Sequence, residues 1–200
     1  MLVIGLTGPT GAGKGCVATL FASYGLPILD ADAIYHELLL PPSACLDALT
    51  ARFGKEILNT DGTLNRRALG AIVFSSEPDL ADLNRIAHRY VMEEVRRRLD
   101  KLRATGTLAA VLDAPQLFEA GAENDCNIIV SVLADPSLRI ERIMRRDGID
   151  QATAKKRMDA QYGDSFFRAH SDYIIENNGT PEQLIPAVCN ILTEMGVTKT

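Results

Sequence analysis

The chain has 200 residues, 46% of them apolar and 24% charged, which suits one α/β domain with a lobe or lid attached. A formal net charge of −5 argues against a protein that holds nucleic acid non-specifically, so a polyanionic nucleotide would have to meet locally concentrated Arg and Lys. The four cysteines are widely spaced without a C-x-x-C, which offers no disulfide framework or zinc site and fits reduced cytosol.

In chain order, Leu2-Val3-Ile4-Gly5-Leu6 is an apolar run with the length of a buried strand. It ends in Thr7 and Gly8, too short for a signal peptide, and no later run approaches transmembrane length, so a cytoplasmic protein without a membrane partner is expected. The strand empties into Gly8-Pro9-Thr10-Gly11-Ala12-Gly13-Lys14, behind which Val17, Leu20 and Phe21 share one face of a helical pattern. Strand, glycine-rich loop with lysine, then helix is the context of a P-loop as well as its string. Glycines let the backbone turn its N–H groups toward phosphate oxygens, and the helix N-terminus adds partial positive charge. Lys14 then reaches the β/γ-phosphates as a point charge. The bland alternative is a glycine-rich turn without a ligand. Gly15 stands where the pattern G-x-x-x-x-G-K-[ST] places a hydroxyl on Mg²⁺, which leaves the holding of the metal open. Cys16 reads first as a small helix-packing residue.

Gly25 reads as the helix C-cap, and Pro27-Ile28-Leu29 as a second short strand ending in Asp30-Ala31-Asp32. Ligands of open parallel sheets sit beyond the carboxyl ends of strands, and a spacing of two puts both carboxylates on one side of an extended segment. The alternative is capping of the helix that follows, with one aspartate capping and the other working. From Ser43 to about Arg103 the pattern is helical and strand-free, which reads as a substrate lobe inserted between strands two and three. Within it Asp61-Gly62 is a turn and Leu64-Asn65-Arg66-Arg67 starts a helix. Arg66, Arg67 and His88 are candidate contacts for an anionic substrate, while Arg96-Arg97-Arg98 reads as a solvated face.

Thr107 to Asp113 is a third strand ending in a carboxylate, in the manner of a Walker-B aspartate that helps hold Mg²⁺ directly or through water. Leu117 and Phe118 beyond it are open to two readings, a ligand-pocket wall or core packing. Asn127–Leu133 is a fourth strand, and Asp135-Pro136 opens a helix carrying Arg139, Arg142, Arg145 and Arg146. A second short helix with Lys155, Lys156 and Arg157 runs up to Gln161. The pair reads as a lid bringing positive charge over a transferring phosphoryl group, or else as a charged surface pair balanced by Glu141, Asp147 and Asp150. Asp172–Ile175 is a fifth strand, Asn177-Asn178-Gly179 a turn, and Pro181 to Met195 the closing helix.

Together these motifs resemble the dephospho-CoA kinase family over about residues 3–192. The resemblance rests on Gly8–Lys14, Asp30-Ala31-Asp32, Asp61–Arg66, Ile86-Ala87-His88, Leu112–Glu119, Arg142–Asp147, Ala160-Gln161 and Ser171–Asn177. It implies an α/β, P-loop NTPase-type fold: a parallel five-stranded sheet flanked by helices, with an inserted helical substrate lobe and a helical lid. The core would span about 1–31, 105–135 and 170–200, the CoA-binding lobe about 32–104 and the lid about 139–165. The implied reaction phosphorylates the ribose 3′-hydroxyl of dephospho-CoA with ATP and Mg²⁺. Lys14, Asp32 and Arg142 would be catalytic, with Asp32 taking the hydroxyl proton. Gly8, Thr10, Gly11, Ala12, Gly13, Lys14, Gly15, Cys16, Arg142 and Arg146 would hold ATP, and Asp30, Asp32, Arg66, His88, Leu117 and Phe118 the acceptor. Asp32 and Asp113 would meet the metal. The chain departs from the family at Gly15-Cys16, where Ser-Thr is usual, and at Pro9, Arg89 and Gln116. Rival readings are another small-molecule kinase of the same fold, and a nucleotide-binding module without turnover. No N-K-x-D exists to read guanine, and the sequence sets no oligomeric state.

Overall fold

In the computed structural model, which describes residues 1–197, five short runs rich in Val, Ile, Leu and Ala become strands. They are β1 (Leu2–Thr7), β2 (Ile28–Asp30), β3 (Ala109–Asp113), β4 (Ile128–Leu133) and β5 (Tyr173–Glu176). One parallel sheet results, in the order β2-β3-β1-β4-β5. Parallel sheets are covered on both faces, which is why β3 is buried along its whole length and shows no polar alternation. The register sets Leu6 beside both Asp113 and Val130, and Thr7 beside Ser131, so the carboxyl ends of β1, β3 and β4 share one rim.

Two compact units divide the chain: Met1–Leu29 with Leu102 onward, and Asp30–Lys101. Positions 198–200, assigned to the core from sequence, lie outside the described residues. In the first unit, α1 (Lys14–Ser23) and α9 (Pro181–Glu194) cover the sheet. Val17 and Phe21 meet Leu184, Val188 and Leu192 over Ile4, Leu6, Val130 and Val132. Tyr24 is the C-cap of α1; Gly25, expected there, is the next residue, at φ +86°, and sends its N–H to the Ala22 carbonyl. The same unit holds α6 (Pro136–Asp147), α7 (Gln151–Asp159) and α8 (Asp164–His170).

Sequence reading did not anticipate α8. Its periodicity is hidden by its brevity, and what orders it is an aromatic cluster with a distant partner. Phe166 meets Phe118 edge-on at 5.1 Å, stacks on Tyr162 at 3.8 Å and on His170 at 4.1 Å, while Phe167 is buried.

The second unit contains α2 (Ala31–Leu38), α3 (Ala44–Phe53), α4 (Arg66–Val73) and most of α5 (Glu77–Ala104), which carries the chain back. Its own core gathers Leu39, Cys45, Leu49, Phe53, Ile57, Leu69 and Val73. Ser43 and Asn65 cap α3 and α4 by accepting the N–H groups of Leu46 and Ala68. Gly62 takes φ +81° in the Asp61 turn. The unit has no regular strand beyond the end of β2, only an isolated bridge between Leu58 and Leu64. On the solvated face of α5, Arg97 and then Arg98 hold the Glu94 carboxyl down to about 2. Among the described residues no helix is long and apolar enough to cross a membrane.

Candidate active site

The rim at the carboxyl end of the sheet carries the loop between β1 and α1. Gly8 has φ +143°, and a side chain there would run into the Val132 carbonyl of β4. Gly13, the N-cap of α1, has φ +90°, and a side chain there would run into the Asn177 amide. Only glycine fits either place. Two loop amides are spent internally, Ala12 N–H on the Pro9 carbonyl at 3.1 Å and Cys16 N–H on Gly13 at 3.0 Å. Thr10 N–H goes to Gln161 Oε1 at 2.8 Å. Among the described residues, the amides of Gly11, Gly13, Lys14 and Gly15 donate to no protein acceptor. Four open donors at the positive end of α1 form an anion site.

The loop carbonyls, by contrast, are occupied. Arg139 Nε donates to Thr10 O at 3.0 Å, and Arg142 Nη1 to Gly11 O and Ala12 O, both at 3.4 Å. Asn177 Nδ2 donates to Ala12 O at 2.8 Å, while Arg142 Nη2 reaches the Asn177 carbonyl at 3.0 Å. Arg146 Nη2 donates to the Thr10 hydroxyl at 3.5 Å, and Asp147 holds its guanidinium pKa up. Arg139 is 4% exposed; burial pushes its pKa down, and Asp164, 3.1 Å from its Nη1, works the other way. Arg142, expected as a lid cation, thus already lies against the loop.

Lys14 Nζ forms an ion pair with Asp113 at the end of β3. Both side chains are largely buried, and the β1–β3 register places them together. Asp113 therefore stands where a Walker-B carboxylate is expected.

The two early aspartates separate in role. They do not lie on one side of an extended segment, because the helix begins at Ala31. Asp30 caps α2 through Ala33 N–H at 3.0 Å, whereas Asp32 sits exposed in the first turn. Arg66 is the exposed first residue of α4, and His88 is half-buried on α5. Near Arg66, the Tyr35 phenol is pushed up to about 12 by burial and by Cys45, with Arg66 opposing.

Two readings are corrected. Leu117 has no exposed surface and lies near Gly5, so it is a core residue rather than a ligand wall. Cys16 projects from the outer side of α1 and is exposed, so it does not pack the helix. Phe118 is half-buried in the aromatic cluster with α8. Sequence reading gave Arg139 only a share in the positive charge of a lid, and gave Gln161 and Asn177 no role at the loop. The last two stood out only as part of the family resemblance, and nothing local marks Arg139 as buried.

No group of three or more His, Cys, Asp or Glu side chains is arranged to hold a metal among the described residues. Magnesium arriving on nucleotide phosphates needs only one or two carboxylates and keeps several waters. Asp113 meets that need, and a Cβ added at Gly15 would touch nothing within 4 Å, which leaves room beside the loop. The residues fit a phosphate-borne Mg²⁺.

A five-stranded parallel sheet with this loop, lysine and helix on its central strand defines a P-loop kinase. The chain belongs to the dephospho-CoA kinase family, whose model matches residues 2–183. A dephospho-CoA kinase of Syntrophotalea carbinolica is 38% identical over 195 residues, covering 98% of this chain and 92% of the relative. The crystal structure of TT1252 from Thermus thermophilus superposes with a TM-score of 0.81 at 31% identity, covering 97% of each chain. The dephospho-CoA kinase of Campylobacter jejuni shares the fold, with a TM-score of 0.72 at 23% identity over 96% of each chain.

Lys14→Ala is expected to lower kcat/KM for ATP by about 10²–10³-fold, the range for losing a group that stabilises developing charge. Far-UV circular dichroism should be unchanged. A folded variant within threefold of wild type would remove Lys14 from the site.

Proposed function

We propose that the chain transfers the γ-phosphoryl group of ATP to the ribose 3′-hydroxyl of dephospho-CoA, giving CoA and ADP in the last step of CoA synthesis. Membership of the family over residues 2–183 carries this reading. The open amides with Lys14 supply its mechanism. Phosphoryl transfer passes through a loose transition state with charge on the equatorial oxygens, so positioning and electrostatics do most of the work. The amides of Gly11, Gly13, Lys14 and Gly15 take the phosphate oxygens, and Lys14 turns from Asp113 to the β/γ-phosphates. Arg142 and Arg146, already beside the loop, add positive charge there.

Asp32 is the base that orients the acceptor hydroxyl and takes its proton. Of the pair, Asp30 is engaged as a cap, while Asp32 is exposed two residues past β2. The unit Asp30–Lys101 is assigned to the acceptor, with Arg66 and His88 as contacts, and Phe118 is kept as a further candidate acceptor contact. The segment of about 139–165 is the lid. Asp113 would hold Mg²⁺ directly or through water, and the bound ion would supply positive charge against the phosphates. A cytoplasmic enzyme without nucleic-acid or membrane partners is part of this reading, and the net charge of −5 speaks against non-specific nucleic-acid binding.

The serious alternative is a different acceptor on the same fold. ADP release should be measured against dephospho-CoA, shikimate and nucleoside monophosphates, with the product identified by ³¹P NMR. Dephospho-CoA should give a 3′-phosphorylated product; its absence, with turnover of another acceptor, would overturn the assignment.

Asp32→Asn should cut kcat by about 10²–10⁴-fold with little change in KM. Asp30→Asn should do much less, because asparagine also caps helices. Reversed effects would exchange the two roles.

Gly15→Ser should lower the Mg²⁺ concentration giving half-maximal rate at saturating ATP, because the open space beside Gly15 admits a hydroxyl ligand. An unchanged midpoint would mean that another oxygen already fills that place. An inactive wild type rescued by the serine would instead make the natural chain a binding module.

A further inference from the structure

The open amides need a fixed direction, and the structure shows what fixes it. A peptide unit is planar and trans, so its C=O and the following N–H point in opposite directions. The Thr10 carbonyl and the Gly11 amide belong to one such plane, and the Ala12 carbonyl and the Gly13 amide to another. Whatever grips the carbonyl aims the amide. Arg139 Nε holds the first carbonyl at 3.0 Å, and Asn177 Nδ2 holds the second at 2.8 Å. Both gripping residues are nearly buried, at 4% and 5% exposure, so water competes little for their hydrogen bonds.

The grip is needed because glycine resists rotation so little. Gly11 and Gly13 stand at φ +79° and +90°, and a glycine peptide left alone turns its plane with little steric cost. Arg139 is itself fixed from behind by Asp164 at 3.1 Å. Asn177 is fixed by backbone, its N–H bonded to the Leu133 carbonyl at 2.8 Å. Arg142 supplements Asn177 at Ala12, but its contact is longer, at 3.4 Å.

We propose that Arg139 and Asn177 are positioning residues for phosphate binding, which turn the Gly11 and Gly13 amides toward the nucleotide by holding the carbonyls of the same peptide planes. This rests on the kinase reading, though not on the identity of the acceptor.

The test uses ADP binding by calorimetry and the ¹⁵N–¹H shifts of Gly11 and Gly13 in the full chain. Asn177→Asp keeps the side-chain shape but removes the donor. It should weaken ADP at least tenfold and abolish the downfield movement of the Gly13 amide on ADP addition, with KM for dephospho-CoA within twofold of wild type. Arg139→Met should weaken ADP about tenfold and blunt the Gly11 shift. Arg139→Lys retains a donor for Thr10 O and should recover affinity to within about threefold. Should Asn177→Asp fail to fold, the Met and Lys pair at Arg139 decides alone. Unchanged ADP affinity and amide shifts in folded Asn177→Asp or Arg139→Met would overturn the proposal, as would equal behaviour of Met and Lys at Arg139. A wild type that binds ADP normally but does not phosphorylate dephospho-CoA would fail the acceptor assignment and leave this result readable.

Discussion

A loop that turns its amides toward one anion must turn carbonyls into the surrounding protein, and a buried carbonyl without a partner is costly. Much of the first unit is arranged around that requirement. β1 lies between β3 and β4, with β5 beyond β4. The chain leaving β4 enters α6, which brings Arg139 and Arg142 to the loop. The chain leaving β5 brings Asn177, and the end of β3 brings Asp113 to Lys14. Every contact crosses a long stretch of sequence, and the parallel register makes the meetings coincide. The binding chemistry lies in a few residues, and the sheet order delivers them.

The second unit obeys a different demand. A helical segment placed between two neighbouring strands has to bury its own apolar faces, and this one does so around Leu49, Phe53, Ile57, Leu69 and Val73. Its helix ends are closed by Asp30, Ser43 and Asn65. If this unit takes the acceptor, as proposed, a core of its own would let it be built independently of the loop.

What the sequence made legible follows the range of the interactions. The strand–loop–helix start, the helical insertion and the short buried strands are written in local pattern, and the structure places them within a residue or two. The Asp30 cap was also readable, since a carboxylate before a helical run competes for its first amides. Legibility fails where a distant partner decides. Arg139 looks like any surface arginine of a charged helix until Thr10 is placed beside it. Phe166 gives no helix signal strong enough without Phe118 and Tyr162 around it. Leu117 was evenly balanced between wall and core, because an apolar residue after a strand suits either until the packing at Gly5 is known. Cys16 misled because small residues at the start of a helix usually pack, whereas α1 turns that face outward.

The ion pair of Lys14 with Asp113 sets the charge balance at the foot of the loop. Two largely buried opposite charges would each be expensive alone, and together they neutralise one another. On the proposed reading a nucleotide would not have to create a positive site; it would exchange one partner of Lys14 for another. Under the proposed function Asp113 would then face the phosphates as a carboxylate donor for a phosphate-borne divalent ion. Nucleotide and metal would on that reading be linked through Lys14 and Asp113, each favouring the binding of the other. Gly15 fits this arrangement. With no hydroxyl of its own at that place, the loop would leave metal contact to phosphates, water and Asp113 on the proposed reading.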